Sequence, residues 1–372
     1  MKTPICEQYG IDFPLFAFSH CRDVVAAVTN AGGFGVLGGA AYTPEQLDRE
    51  LSWIDEQVKG RPYGIDIIVP AKFEGKGENL SRGQLSDRIP DEFKAFIAEL
   101  LARHDIEPEE QPRVGSALLA GGDGERLLEV AVAHPIKMMA NALGVPPDYM
   151  IAAGKQHGIP VAALVGAKEH ALKQVAAGVD LIVAQGTEAG GHCGEVSTLV
   201  VVPEVIEAID DAVPVLAAGG IVTGRQMAAC VALGAAGAWT GSVWLTTEEA
   251  ETEPHTVAKM LAATSRDTIR STGRTGKPAR QLISDWTDAW RPNEAGHPTL
   301  PLPLQSMIAE PTLRRIDKLA AAGHPGARAL STYFAGQGVG LMNKVKPARD
   351  VVFEFVQDYL AAAERLGGSV RD

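Results

Sequence analysis

Short apolar runs alternate with stretches of helical periodicity along roughly the first two thirds of the chain. Runs at 15–18, 34–37, 63–69, 136–141, 160–165, 181–184, 215–218 and 238–240 are too short for buried helices. Several are bounded by glycine or proline, and near-continuous apolar runs of this kind read as parallel strands buried on both faces. Each run but the last is followed by a helix-competent stretch. Eight such βα units favour a closed barrel over an open sheet. The predicted fold is α/β, a (β/α)8 TIM barrel spanning residues 1–250.

Local signals support the helical halves. Thr43-Pro44-Glu45-Gln46 is a capping box with proline at the first helical position. Thr223-Gly224-Arg225-Gln226 repeats the Thr-x-x-Gln pattern before an Ala-rich helix that stops at Gly234. Gly32-Gly33 and Gly178 stand where helices end.

Two regions break the alternation. Residues 71–113, charged and rich in glycine and proline, form a predicted insertion after strand three. It carries one amphipathic helix, with Phe93, Phe96, Ile97, Leu100 and Leu101 on a single face that must dock on something. Beyond residue 250 the barrel rhythm fails. Residues 251–345, with a basic Gly-rich loop at 271–280 and a Pro-rich stretch at 298–303, read as a smaller C-terminal lid domain. Residues 346–372 read as a terminal amphipathic helix, its apolar face built on Val351, Val352, Phe355, Val356, Tyr359 and Leu360 and packed back on the barrel. Trp286 and Trp290 read as core or lid packing.

Composition narrows the function classes. The formal charge of −12 argues against nucleic acid or an anionic membrane as partner. It leaves room for an anionic cofactor, because backbone N–H groups bind phosphate locally. Cys6, Cys21, Cys193 and Cys230 are scattered, which argues against a disulfide framework or a metal site. No signal-peptide pattern or run of eighteen apolar residues is present, so the expected location is cytoplasmic. The sequence leaves a homo-oligomer open.

Barrel enzymes carry function on the loops at the C-terminal ends of their strands, and phosphate is often held after strands seven and eight. Here Ala217-Ala218-Gly219-Gly220-Ile221 follows strand seven and Thr240-Gly241-Ser242 follows strand eight. A single glycine pair is more often just a tight turn. Two such loops at both expected positions point instead to a phosphate cradle, with glycine N–H groups and the Ser242 hydroxyl as donors.

After strand six comes Gln185-Gly186-Thr187-Glu188-Ala189-Gly190-Gly191-His192. The Gln185 amide suits the edge of a planar heterocycle, and Gly190-Gly191 leaves room for a flat ring. His192 at this position suits a base that takes a proton from a substrate carbon. His20, directly after strand one, is a second mouth candidate. A Cys193/His192 nucleophile pair is disfavoured, because sequence neighbours rarely present that geometry.

Residues 30–38, 184–192 and 217–221 resemble the nitronate monooxygenase (2-nitropropane dioxygenase) family. The similarity runs over the whole barrel and resumes at 275–280 and 335–347. It implies non-covalent FMN, with phosphate near Gly219, Gly220, Gly241 and Ser242 and the ring near Gln185 and Gly190. Ala17, Phe18 and Ser19 would cover one flavin face, and Asp66, Gly191, Ala218 and Thr240 complete the implied cofactor set. It also implies that His192 is the catalytic base, taking the α-proton of a neutral nitroalkane. The nitronate would then give an electron to FMN, and reduced flavin would react with O2.

Three segments differ from the family pattern. Ala17-Phe18-Ser19-His20-Cys21 stands where members commonly carry Ala-Pro-Met-Ala-Gly, Asp66 stands where they carry asparagine, and the insertion is longer. The alternative is an NAD(P)H-dependent FMN reductase acting on an enoyl thioester or a quinone, with Lys277 and Arg280 holding a nucleotide or CoA phosphate.

Overall fold

The computed structural model describes residues 1–70, 74, 78, 80–107, 124–291 and 296–369. Its strands are β1 (Leu15–Ser19), β2 (Phe34–Gly38), β3 (Tyr63–Asp66), β4 (Met138–Asn141), β5 (Val161–Val165), β6 (Leu181–Gln185), β7 (Gly191–His192), β8 (Val215–Ala218), β9 (Gly237–Thr240), β10 (Thr268–Ser271) and β11 (Ala279–Leu282). A closed parallel barrel runs in the order β1-β2-β3-β4-β5-β6-β8-β9, and β9 closes it on β1 through Phe16↔Trp239 and Ala17↔Thr240. All eight predicted strands are present. The runs 63–69, 136–141 and 160–165 are each longer at one end than the strands they contain.

Strand periodicity sorts the barrel residues into two shells. Phe16, Phe34, Val36, Met138, Ala140, Ala162, Leu181, Val183, Leu216, Ala218 and Trp239 fill the interior. The alternate residues, among them Leu15, Ala17, Leu37, Ile65, Ala184, Ala217 and Ala238, pack under the helices. The helix Pro4–Tyr9 places the Tyr9 ring 5.5 Å from Phe16 and 5.3 Å from Phe34, near the starts of β1 and β2. It therefore plugs the N-terminal end of the barrel and leaves the other end for chemistry.

The Thr43 capping box is complete. Thr43 Oγ1 accepts the Gln46 N–H at 3.2 Å, and Gln46 Oε1 accepts the Thr43 N–H at 2.9 Å. The helix Ala348–Gly368 lies against the helix Gly224–Ala232, where a Cβ on Gly224 would meet the Phe355 carbonyl oxygen. Arg225 pairs with Asp358 beside that contact.

A second apolar cluster lies apart from the barrel. The predicted insertion, 71–113, falls partly outside the described residues, but its helix Asp91–Ala102 is described. Its buried residues Phe93, Ile97, Leu100 and Leu101 pack with Trp286, Trp290 and the helix Leu304–Ala321. Burying each such side chain contributes about 1.5–3 kcal/mol, enough to dock the helix rather than leave it solvated. Phe96 stands edge-on to Trp290 at 4.9 Å and stacks on His297 at 4.3 Å.

Three strands are absent from the sequence-based prediction: β10 and β11, which flank the predicted 271–280 loop, and β7. This two-residue strand lies inside the loop after β6 and pairs antiparallel with β11, Ala279↔His192 and Arg280↔Gly191. It ties that loop to the sheet β10-β11-β7.

Candidate active site

Register identifies which side chains face the barrel mouth. Asp66 pairs with Ala140 and Gln185 pairs with Ala218, and both partners belong to the interior cluster. Asp66 and Gln185 therefore point inward from the C-terminal ends of β3 and β6. Asp66 is 3% exposed, and its Oδ1 has no hydrogen-bond partner. Burial alone pushes its pKa up to about 7. The Gln185 amide makes no hydrogen bond to a described residue. Phe18, stacked 6.3 Å from Trp239, completes the apolar part of this layer.

Three other predicted residues present their side chains elsewhere. Ala17 faces the outer shell. Ser19 Oγ accepts the Cys21 N–H at 3.1 Å. Thr240 Oγ1 donates to the Phe16 carbonyl at 2.9 Å and accepts the Trp244 indole N–H at 2.9 Å. At the mouth these residues offer main chain.

After β8, Gly219 (φ 112°) and Gly220 (φ 68°) occupy positive-φ conformations that L side chains rarely adopt. The N–H groups of Gly219, Gly220 and Ile221 find no acceptor among the described residues, nor does that of Gly241 after β9. Consecutive unpaired N–H groups in such a turn form an anion-binding nest. Ser242, which opens the 3-10 helix Ser242–Thr246, accepts the Gly336 N–H at 2.8 Å and keeps its own proton free of the described residues.

The surrounding loops converge at glycine-only distances. A Cβ on Gly219 would lie 2.5 Å from Thr198 Oγ1 and 3.0 Å from the Gly186 nitrogen. One on Gly190 would lie 2.8 Å from the Gly336 nitrogen and 3.0 Å from Ser242 Oγ. A cavity of about 300 Å³ opens beside the turn, lined by Glu188, Thr198, Gly219, Gly220, Gln226 and Gln337 among others. An unpaired nest next to two inward polar groups with open hydrogen-bonding capacity fits a planar heterocycle carrying a phosphate.

His192 is half-buried, and its Nε2 lies 2.8 Å from Thr275 Oγ1. Its pKa is pushed down to about 4, by desolvation first and then by the positive charges of Lys277 and Arg274. The ring is therefore neutral at physiological pH, and Nδ1 has no hydrogen bond to a described residue. Arg280 fixes the loop that carries His192. It donates through Nε to the Thr187 carbonyl at 2.7 Å and through a terminal nitrogen to Thr268 Oγ1 at 3.1 Å.

Sequence reasoning missed the residues around His192. Arg274 binds both Glu310 oxygens, at 2.7 and 3.1 Å, and lies over the Phe334 ring at 4.4 Å. Glu310 is held below the usual carboxylate range by that guanidinium, against its own desolvation. Phe334 stands 6.2 Å from the His192 ring. The only signal was the basic character of the 271–280 loop, which gives no clue to a partner on the helix Leu304–Ala321.

His20 sits at the mouth, exposed at its edge, with Nδ1 3.2 Å from the Gly38 carbonyl oxygen. The Cys193 thiol faces the Thr187 carbonyl at 3.5 Å, and burial raises its pKa, the opposite of an activated nucleophile.

The family model for nitronate monooxygenase matches residues 5–358. The chain belongs to the nitronate monooxygenase family. It is 49% identical, over the full length of both chains, to a Mycobacterium tuberculosis (strain H37Rv) protein whose name assigns it provisionally to the monooxygenases. Among solved structures it is similar to nitroalkane oxidase from Streptomyces ansochromogenes, with 25% identity, a TM-score of 0.80 and coverage of 97% of this chain and 99% of that one. It shares its fold with FabK from Thermotoga maritima, with 24% identity, a TM-score of 0.72 and 99% of each chain covered. The protein is thus an enzyme, a flavin-dependent oxidoreductase of this family. Among the described residues no helix is long and apolar enough to cross a membrane.

Proposed function

We propose that the protein is an FMN-dependent nitronate monooxygenase, oxidising alkyl nitronates and their parent nitroalkanes with O2. The observation that carries this reading is His192, a neutral imidazole on the loop that follows Gln185 at the end of β6. The Gly219, Gly220, Ile221 and Gly241 N–H groups and the Ser242 hydroxyl would hold the FMN phosphate. The Gln185 amide and the Asp66 carboxyl would meet the polar edge of the ring, while Phe18, Gly190 and Gly191 leave it a flat slot. Bound there, FMN supplies the electron acceptor and the reactivity toward O2.

The chain's own task is proton transfer. His192 Nδ1, free of the described residues, takes the α-proton of a neutral nitroalkane, and the C–H electron pair stays on the substrate as the nitronate. The Arg274–Glu310 pair and Phe334 keep the environment of the imidazole fixed. A nitronate arrives with that proton already gone and does not need the base.

Anaerobic mixing of the purified flavoprotein with a nitronate in one cell and NADPH or NADH in another tests the reading. The expected result is rapid bleaching of the flavin by the nitronate. Bleaching by pyridine nucleotide alone contradicts it and supports the reductase, a reading for which the FabK likeness supplies the fold only.

A further inference from the structure

Thr275 is 2% exposed, and its hydroxyl oxygen has three neighbours. It donates to the Lys277 carbonyl at 3.1 Å, it accepts the Lys277 N–H at 3.3 Å, and it lies 2.8 Å from His192 Nε2. A hydroxyl has one proton and two acceptor positions. With the Thr275 proton on the Lys277 carbonyl and the Lys277 N–H on one lone pair, an acceptor position remains for the imidazole. The Nε2–H tautomer then satisfies all three contacts and leaves the lone pair on Nδ1, whereas the reverse tautomer takes the proton from the Lys277 carbonyl.

The hydroxyl is not free to wander. A Cβ on Gly276 (φ 79°) would meet the Leu300 carbonyl oxygen, and one on Gly273 would lie 2.6 Å from the Trp290 ring. The Gln305 side chain donates to the Gly273 carbonyl at 2.9 Å. The loop on either side of Thr275 is therefore clamped to the C-terminal region.

We propose that Thr275 is the positioning residue that holds His192 as the Nε2–H tautomer, so that Nδ1 is the proton acceptor. This rests on His192 being the base. In the covalent step, the substrate α C–H bond breaks, its electron pair remains on the substrate, and the proton bonds to Nδ1. The Nε2–H bond to Thr275 steadies the resulting imidazolium. The charged groups facing the ring are Lys277 and Arg274 on the Thr275 loop and Glu310 on the helix Leu304–Ala321. They affect how readily the ring charges but leave the choice of tautomer to Thr275. The reverse tautomer would draw the Thr275 proton away from the Lys277 carbonyl. One such hydrogen bond corresponds to roughly a two- to tenfold population ratio.

The test uses histidine-¹⁵N-labelled holoenzyme at neutral pH, with His192→Asn assigning the His192 signals. Wild type and Thr275→Ser should place Nε2 in the protonated range and Nδ1 in the unprotonated range. Thr275→Val should show a mixture or the opposite tautomer. In kinetics, Thr275→Val should lose about two- to tenfold in kcat/KM on a neutral nitroalkane and less on its nitronate, with Thr275→Ser restoring the loss. An Nδ1–H tautomer in wild type, or an unchanged tautomer in Thr275→Val, overturns the assignment. If His192→Asn abstracts the proton as fast as wild type, the base reading fails on its own, whatever the tautomer of the ring.

Discussion

The two poles of the mouth are built from different material. The proposed phosphate pole is main chain: unpaired N–H groups at Gly219, Gly220, Ile221 and Gly241, shaped by glycine conformations and supplied by the loops after neighbouring strands. The proposed substrate pole is side chain. It combines His192 with Thr275, Arg274, Glu310 and Phe334, all of which lie more than eighty residues further along the chain. The first kind of site depends on backbone shape and tolerates little added volume. The second depends on charge and hydrogen-bond bookkeeping, and it can be retuned without losing the cofactor.

Gly219→Val should break the phosphate pole outright. The new side chain would need a positive φ, costing about 1–3 kcal/mol, and its Cβ would sit against Thr198 Oγ1. The expected outcome is purified protein with almost no bound flavin, read from the flavin-to-protein absorbance ratio. Tight retention of flavin would mean that these N–H groups do not hold the phosphate.

Asp66→Asn sharpens the boundary between the poles. Burial raises Asp66 from its ordinary 3.8 to about 7, so the folded flavin-free protein holds a proton that the unfolded chain has released. That contribution is full below about 4 and is lost as pH rises toward about 7. Asn has no such titration. The flavin-free variant should therefore show a flatter dependence of Tm on pH over this window and a higher Tm than wild type at pH above about 7. Parallel Tm curves would mean that Asp66 is not buried as described.

Changes at the Arg274–Glu310 pair should have the smallest effects, and they should differ in sign. Arg274→Met removes a charge that lowers the His192 pKa, so the acid limb of neutral-nitroalkane turnover should move up. Glu310→Gln removes a charge that raises it, so the limb should move down. Each variant strands one partner and should cost about 1–3 kcal/mol in denaturant unfolding. Shifts in the same direction would mean the pair does not act on His192 through charge.

The same contrast explains how much was legible from sequence. The barrel could be read because every strand is a short apolar run with its own punctuation. The place of Gly219-Gly220 and Gly241-Ser242 directly after β8 and β9 could be read because each pair follows its own apolar run. The inward aim of Asp66 and Gln185 follows from strand parity once the register is known. In contrast, β7 is two residues long, and its partner β11 lies nearly ninety residues away, beyond any local pattern. The hydroxyl that contacts His192 and the carboxylate that neutralises Arg274 are set by long-range packing of the 271–280 loop on Trp290 and residues 300–305. The amphipathic face of the Asp91–Ala102 helix announced that it must dock, but Trp286 and Trp290 as its partners were visible only in three dimensions.

In the proposed reaction a neutral His192 removes a proton at a flavin site. The decisive measurement is anaerobic rapid mixing of wild type and His192→Asn, each with flavin bound, with a neutral nitroalkane and separately with its nitronate. The variant should bleach about 10²–10⁴-fold more slowly with the neutral compound and nearly as fast as wild type with the nitronate. Equal bleaching of both proteins by the neutral nitroalkane would contradict it.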